Sequence, residues 1–133
     1  NMYPMLYKAK VMRSNDKNFR ANMFIYKLAA GQATPSIVIL EENGAVGEYN
    51  RANRALMHYV ENVLPMVLSW ALNSYVYPIP AFVLMLIYCV GRVAYQIGYT
   101  GGYGKHAPGF VLQHMSMMSM LGLLLVVVIK AGL

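Results

Sequence analysis

At 133 residues and with a single cysteine, Cys89, the chain has room for one domain and none for an internal disulfide framework. Only 12% of its residues are charged, against about 25% in an ordinary soluble domain. A mean hydropathy of +0.41 favours a bundle in lipid over a soluble bundle with unusually apolar helices.

Residues 1–49 are the least regular part. Asn18 to Ala30 has the makings of a short helix, with Phe19, Asn22, Met23, Tyr26 and Lys27 at mixed spacing. GQATPS then breaks it at Gly31 and Pro35. Ser36 to Leu40 (SIVIL) is β-branched and extended in character but too short to cross a membrane. EENGAVGEYN, with Glu41, Glu42 and the Asn43–Gly44 pair, is turn-like. Region 1–49 is therefore expected to be a membrane-surface loop region with a marginal helix, and 50–133 the transmembrane domain. The chain begins with Asn1 and has no apolar segment before residue 55 long enough for a signal peptide. The expectation is that it starts inside a longer precursor or that upstream residues are not included.

Three apolar segments follow, near 55–77, 80–99 and 109–130. A span needs about 20 mostly apolar residues, and the expected fold is an all-α integral membrane bundle with three transmembrane helices. Pro78 and Pro80 bracket a tight turn between the first two, where Tyr75 and Tyr77 suit the aqueous interface. Tyr99 to Pro108 is a glycine-rich connection. Its GGYGK is not a phosphate loop, because Tyr99 stands where the first glycine is needed and His106 where Ser or Thr would hold magnesium. In HMSMMSM (His114 to Met120) thioethers and an imidazole suggest copper(I). Met115, Met118 and Met120 do not share a helical face with His114, so small serines and flexible methionines for close helix packing are the simpler reading, with no metal.

The net charge of +6 comes from placement, not from a nucleic-acid surface. Lys8, Lys10, Arg13, Lys17, Arg20, Lys27, Arg51 and Arg54 precede the first expected span, and Lys105 lies between the second and third. Asn73 to Pro80 carries no charge. Three spans put both basic segments on one side, the cytosolic one by the positive-inside rule.

The first span is entered through charge. Arg51, Arg54, His58 and Glu61 are spaced three, four and three residues apart. At about 100° per residue they share a stripe roughly 80° wide, which is expected to point inward. An ionised Glu61 inside lipid costs at least ~2.5 kcal/mol unless paired, with Arg54 or Arg92 as partner. Arg92, Tyr95 and Tyr99 make a second stripe at i, i+3 and i+7 on the next helix. Two polar stripes on neighbouring helices suggest one shared site.

The residues Arg54-Ala55, Glu61-Asn62 and Val63-Leu64-Pro65, together with GRVAYQIGYTGGYGKHAPGF from Gly91 to Phe110, resemble the membrane-associated eicosanoid and glutathione metabolism (MAPEG) family. That family includes microsomal glutathione transferases and leukotriene C synthase. The resemblance covers residues 50–130 and extends weakly to Tyr3, Pro4, Leu6 and Tyr7. It implies that the family's first helix lies upstream of Asn1 or is absent, and that residues 8–48 form a longer loop than usual.

The resemblance further implies glutathione as co-substrate and membrane lipid and a homotrimer as partners. The implied site lies in a pocket between subunits in the endoplasmic reticulum or another organellar membrane. Glutathione would be bound by Arg54, His58, Glu61, Arg92, Tyr95 and Tyr99, with His58 replacing an asparagine. His106, preceded by Lys105, occupies the position of the arginine that would stabilise the thiolate. The thiol's pKa near 8.5 leaves little thiolate at neutral pH without a nearby cation or donor, and a neutral imidazole supplies less than a guanidinium. The implied activity is conjugation or reduction of a lipophilic electrophile or hydroperoxide. The departures at His58 and His106 keep a non-catalytic accessory subunit of a larger membrane complex as the alternative.

Overall fold

The computed structural model describes residues 2–14, 24–29 and 37–132. These residues form four helices, α1 (Met2–Ser14), α2 (Gly44–Val76), α3 (Pro78–Gly101) and α4 (Ala107–Gly132), and one hairpin of β1 (Tyr26–Ala29) and β2 (Ile37–Leu40). The strands are antiparallel, with Tyr26 opposite Leu40 and Ala29 opposite Ile37.

The N-terminal third departs from the loop expectation. Met2–Ser14 is helical. Its Val11 is buried against Tyr49 of α2, with Tyr7, Ile25 and Val46 around them. SIVIL is a strand from Ile37, as its β-branched residues suggest. The short helix expected at Asn18 to Ala30 is corrected over its described part, since Tyr26–Ala29 pairs with β2. Residues 18–23 and the GQATPS break lie outside the described residues. The hairpin also amends the all-α expectation.

The turn expected over EENGAVGEYN ends sooner than expected. Gly44 takes a positive φ of 58°, and the Gly47 amide donates to the Asn43 carbonyl at 2.9 Å to start α2. Gly47 is also needed small, because a Cβ there would run into the Glu42 backbone. At 33 residues α2 is about 50 Å long. Pro65 interrupts it, since proline has no N–H for the carbonyl one turn back.

Between α2 and α3 stands a single residue, Tyr77, whose amide donates to Asn73 O at 2.6 Å. Pro78 opens α3 where its missing N–H costs nothing, so the expected tight turn shortens to Tyr77. Gly102 (φ 146°) and Gly104 (φ 89°) allow the reversal into α4.

Helices α3 and α4 cross closely because Gly91 faces the Leu112–Gln113 backbone and Gly109 that of Ala94–Tyr95. Met66, Tyr88, Met117 and Met120 form the core below this crossing, with Trp70, Leu84 and Met85 packed on it. Polar contacts tie the same layer, as small residues and amides do in lipid. Asn73 Nδ2 donates to Met120 O at 2.8 Å, and Ser116 Oγ donates to Leu84 O. The methionine run thus divides into buried Met117 and Met120 and exposed Met115 and Met118.

Among the described residues, α3 and α4 are long and apolar enough to cross a membrane. Their outward faces carry Leu86, Val90, Val93, Val111, Leu125 and Val128 exposed, an inside-out pattern suited to lipid. The apolar part of α2 is broken by Glu61, Asn62 and Asn73; it has the length of a span without that composition.

Candidate functional site

The three long helices converge near the α3–α4 connection, and the site is built there in layers. From α2 come Arg51, Arg54, His58 and Glu61. From α3 come Arg92, Tyr95 and Tyr99, from the α3–α4 connection His106, and from α4 Phe110 and His114.

Tyr95, 4% exposed, is the hub. Its ring stacks on His58 at 4.9 Å between centroids and on Tyr99 at 5.5 Å. It meets His106 edge-on at 5.5 Å. His106 also stands edge-on to Tyr99 at 5.0 Å. On the other side Phe110 stacks on His114 at 4.0 Å, and His114 lies 5.9 Å from His58. Three imidazoles and three aromatic rings therefore form one cluster. The Nδ1 atoms of His106 and His114 are buried with no hydrogen-bond partner among the described residues.

Arg92 is buried at 9% exposure and reaches from α3 into both neighbours. Its guanidinium donates to the Ala55 carbonyl, contacts His58 Nδ1 at 3.2 Å, and donates to Gln113 Oε1 at 3.4 Å. It lies 4.9 Å from the Tyr95 ring and 5.4 Å from that of Tyr59, distances at which a cation is attracted to a π face. On its outer side a cavity of about 210 Å³ is lined by Leu56, Tyr59, Arg92, Val93 and Gln96.

The α2 stripe does not point inward as one unit, which corrects that expectation. His58 turns into the cluster. Arg51 turns to the connections, donating to Thr100 O at 3.1 Å and Glu42 O at 2.8 Å. Arg54 and Glu61 pair at 3.4 Å, with side chains 51% and 50% exposed on the single chain. Arg54 also lines a cavity of about 20 Å³ with Glu42, Asn50, Tyr99 and Tyr103, a volume that holds a water and no more. Tyr103 OH donates to Glu42 Oε1 at 3.1 Å. That contact, with loss of solvent, pushes the Tyr103 phenol up from its ordinary value, desolvation being the larger cause.

Of the residues singled out by sequence, His58, Arg92, Tyr95, Tyr99 and His106 are brought together. The Arg54–Glu61 pair lies at the cluster's open edge, and Lys105 is exposed on the connection. Phe110, Gln113 and His114 are the members that sequence reasoning missed. Their signal was the i, i+4, i+8 spacing of His106, Phe110 and His114. No group of three or more His, Cys, Asp or Glu among the described residues is arranged to hold a metal ion.

Chemically, the arrangement offers a cation–carboxylate pair at an open edge, phenol and imidazole groups behind it, and apolar helix faces around it. The sequence model of the MAPEG family matches residues 8–129, from the middle of α1 through nearly all of α4. No curated protein and no solved structure matches the chain. The family consists of membrane proteins that broadly use glutathione in transferase or peroxidase chemistry. The chain is a membrane protein and belongs to the MAPEG family.

Proposed function

We propose that the chain is a glutathione-dependent membrane transferase or peroxidase acting on lipophilic electrophiles or hydroperoxides. The observation that carries this reading is the Arg54–Glu61 pair at the open edge of the His58–Tyr95–Tyr99–His106 cluster. Arg54 suits a ligand carboxylate and Glu61 a ligand ammonium. Tyr95 and Tyr99 supply aromatic walls and hydroxyls, Arg92 orders the wall behind them, and His106, aided by Lys105, would take the thiol proton or donate to the thiolate. In the transferase reaction the thiolate sulfur bonds to an electrophilic carbon as the leaving group departs with its electron pair. In the peroxidase reaction two glutathione molecules are oxidised to the disulfide while the hydroperoxide becomes alcohol and water.

The cavity that Arg54 lines among the described residues holds no more than a water, and the Arg54–Glu61 pair is half exposed on the single chain. This supports completion of the site by a second copy in a homotrimer. It also supports α2 as a third span, with its charged edge covered by protein instead of lipid. The transmembrane domain then runs over 50–133, in the endoplasmic reticulum or another organellar membrane. Labelling of single cysteines placed at Lys8, Lys105 and Tyr75 tests the topology, with the first two expected on one side and the third opposite.

A specific observation favours a second reading, a non-catalytic accessory subunit. The Arg92 guanidinium is directed to Ala55, His58 and Gln113 within the chain. The discriminating experiment is calorimetric titration of the purified protein with glutathione, followed by turnover of a lipophilic aryl halide and a lipid hydroperoxide. Binding with turnover supports the enzyme; no binding at millimolar glutathione leaves the accessory subunit.

A further inference from the structure

Only one protonation state of His58 makes its contact with Arg92 attractive. A guanidinium has donors, no acceptor, and a charge that persists across the working pH range. The imidazole nitrogen 3.2 Å from Arg92 Nη1 is Nδ1, so Nδ1 must accept and the ring must be neutral with its proton on Nε2. The same guanidinium is held by the Ala55 carbonyl of α2 and by Gln113 Oε1 of α4. His58 thus supplies the side-chain half of the α2 anchorage. Its own backbone carbonyl accepts from Asn62 Nδ2 at 2.7 Å, and its ring is stacked on Tyr95.

We infer that His58 is a positioning residue for Arg92 and a proton-operated release: neutral, it holds the guanidinium against α2; protonated, it drives the guanidinium off. A proton added at Nδ1 sets N–H against N–H and places two positive charges at contact distance in a poorly hydrated junction, where their repulsion is stronger than in water. The charged and titratable groups around His58 are Arg54 and Glu61 from its own helix, Arg92 and Tyr95 from α3, and His114 from α4. Glu61 is engaged by Arg54, which limits its power to neutralise a second cation. His114, if charged, adds to the repulsion.

The consequence for ligand binding rests on the glutathione reading; the protonation state of His58 does not. Release of Arg92 loosens the wall formed by Tyr95 and Tyr99, so glutathione affinity falls as acid protonates His58. Loss of a charge-assisted hydrogen bond corresponds to about tenfold or more in an equilibrium constant.

Two measurements decide the matter. Nitrogen-15 spectra of histidine-labelled protein in nanodiscs at about pH 7.5, near the neutral side of the imidazole range, are assigned with His58→Asn. An unprotonated Nδ1 is expected for His58, and a protonated Nδ1 overturns the inference whether or not glutathione binds. Glutathione affinity is then compared at about pH 8 and about pH 5, on either side of that range. The wild-type affinity is expected to fall severalfold at the lower pH, and the difference should collapse in His58→Asn, whose amide oxygen accepts without titrating. A ratio that His58→Asn leaves unchanged overturns the role of His58. Absence of glutathione binding at both pH values refutes the functional reading and the predicted effect on affinity, while the spectra still decide the contact.

Discussion

Arg54 and Glu61 stand two turns apart on α2, and Nη1 of the one lies 3.4 Å from Oε1 of the other while both side chains remain half exposed. An ion pair this open contributes about 1 kcal/mol or less to stability. Its value to the protein lies in what else the two charges can hold. A zwitterionic ligand end presents carboxylate and ammonium together, and the pair matches both. Replacing Glu61 by Gln should weaken glutathione binding about tenfold or more, the usual loss for a charged hydrogen bond, while thermal unfolding barely moves. Calorimetry that finds unchanged binding would leave Glu61 a structural role only.

The α3–α4 crossing makes a second prediction. A Cβ at Gly91 would meet Gln113 N at 2.7 Å and Leu112 Cβ at 3.1 Å. The first of these is backbone and has no rotamer to yield, so α4 must shift. Gly91→Ala should cost about 1–3 kcal/mol and disturb the Gln113–Arg92 contact with it. Gly122 has open space around it, and Gly122→Ala should be neutral or stabilising by up to about 1 kcal/mol through helix propensity. Thermal unfolding in detergent compares the two. Equal effects would contradict the close approach at Gly91.

What could be read from sequence, and what could not, follows from the range of the forces involved. The second and third segments, expected at 80–99 and 109–130, are α3 and α4 with two residues added at each end, because apolar runs bounded by proline and glycine are local signals. The start of α2 was hidden, since Asn43–Gly44 has turn chemistry and the helix begins at once behind it. Helix α1 and the hairpin depend on distant partners, Tyr49 for Val11 and Ile37–Leu40 for Tyr26–Ala29, and no local pattern reports those. In the site, the stripes of α2 and α3 were visible at helical spacing. The α4 face was not, because apolar residues surround that helix and His106 and His114 fell into separate readings, one as loop and one as part of a methionine run.

Asn50 fastens the hairpin to the bundle. At 1% exposure, its amide donates to Ile25 O at 2.7 Å and Glu41 O at 2.8 Å and accepts from Ile25 N at 2.9 Å. Each net hydrogen bond is worth about 1 kcal/mol, and buried backbone groups left without a partner add to the loss. Asn50→Ala should therefore destabilise the protein by about 2–3 kcal/mol, seen as a lower melting temperature. A change within about 0.5 kcal/mol, the scale of an ordinary surface substitution, would show that the hairpin is not held there.

The same fastening should respond to acid through Glu41. Its carboxylate accepts the Asn43 amide at 3.0 Å and the Lys27 ammonium at 3.0 Å. These contacts, the amide first, hold its pKa below the ordinary value of 4.5. The folded state then prefers the ionised form. The stabilisation is complete above the ordinary value and is lost as pH falls through the lower, folded one. Amide exchange at Asn43 should speed up relative to Glu41→Gln-corrected rates as the pH drops through that window. A variant Glu41→Gln with the same acid response would remove Glu41 from the account.

The last prediction concerns the thiol. His106 sits edge-on to Tyr95 and Tyr99, and its buried Nδ1 has no partner among the described residues. An imidazole can take a proton or donate one hydrogen bond, but unlike a guanidinium it brings no permanent charge to a sulfur anion. A thiol of pKa near 8.5 then gains less thiolate at this position than beside an arginine. His106→Arg places a permanent cation at this position. It should raise the thiolate fraction at neutral pH, visible as increased ultraviolet absorbance of bound glutathione. His106→Gln, which keeps a donor and loses the base, should lower turnover by about 10²-fold or more while glutathione still binds. If glutathione binds to all three proteins with the same thiolate absorbance and the same turnover, His106 does not touch the reacting sulfur, and Lys105 becomes the group to test.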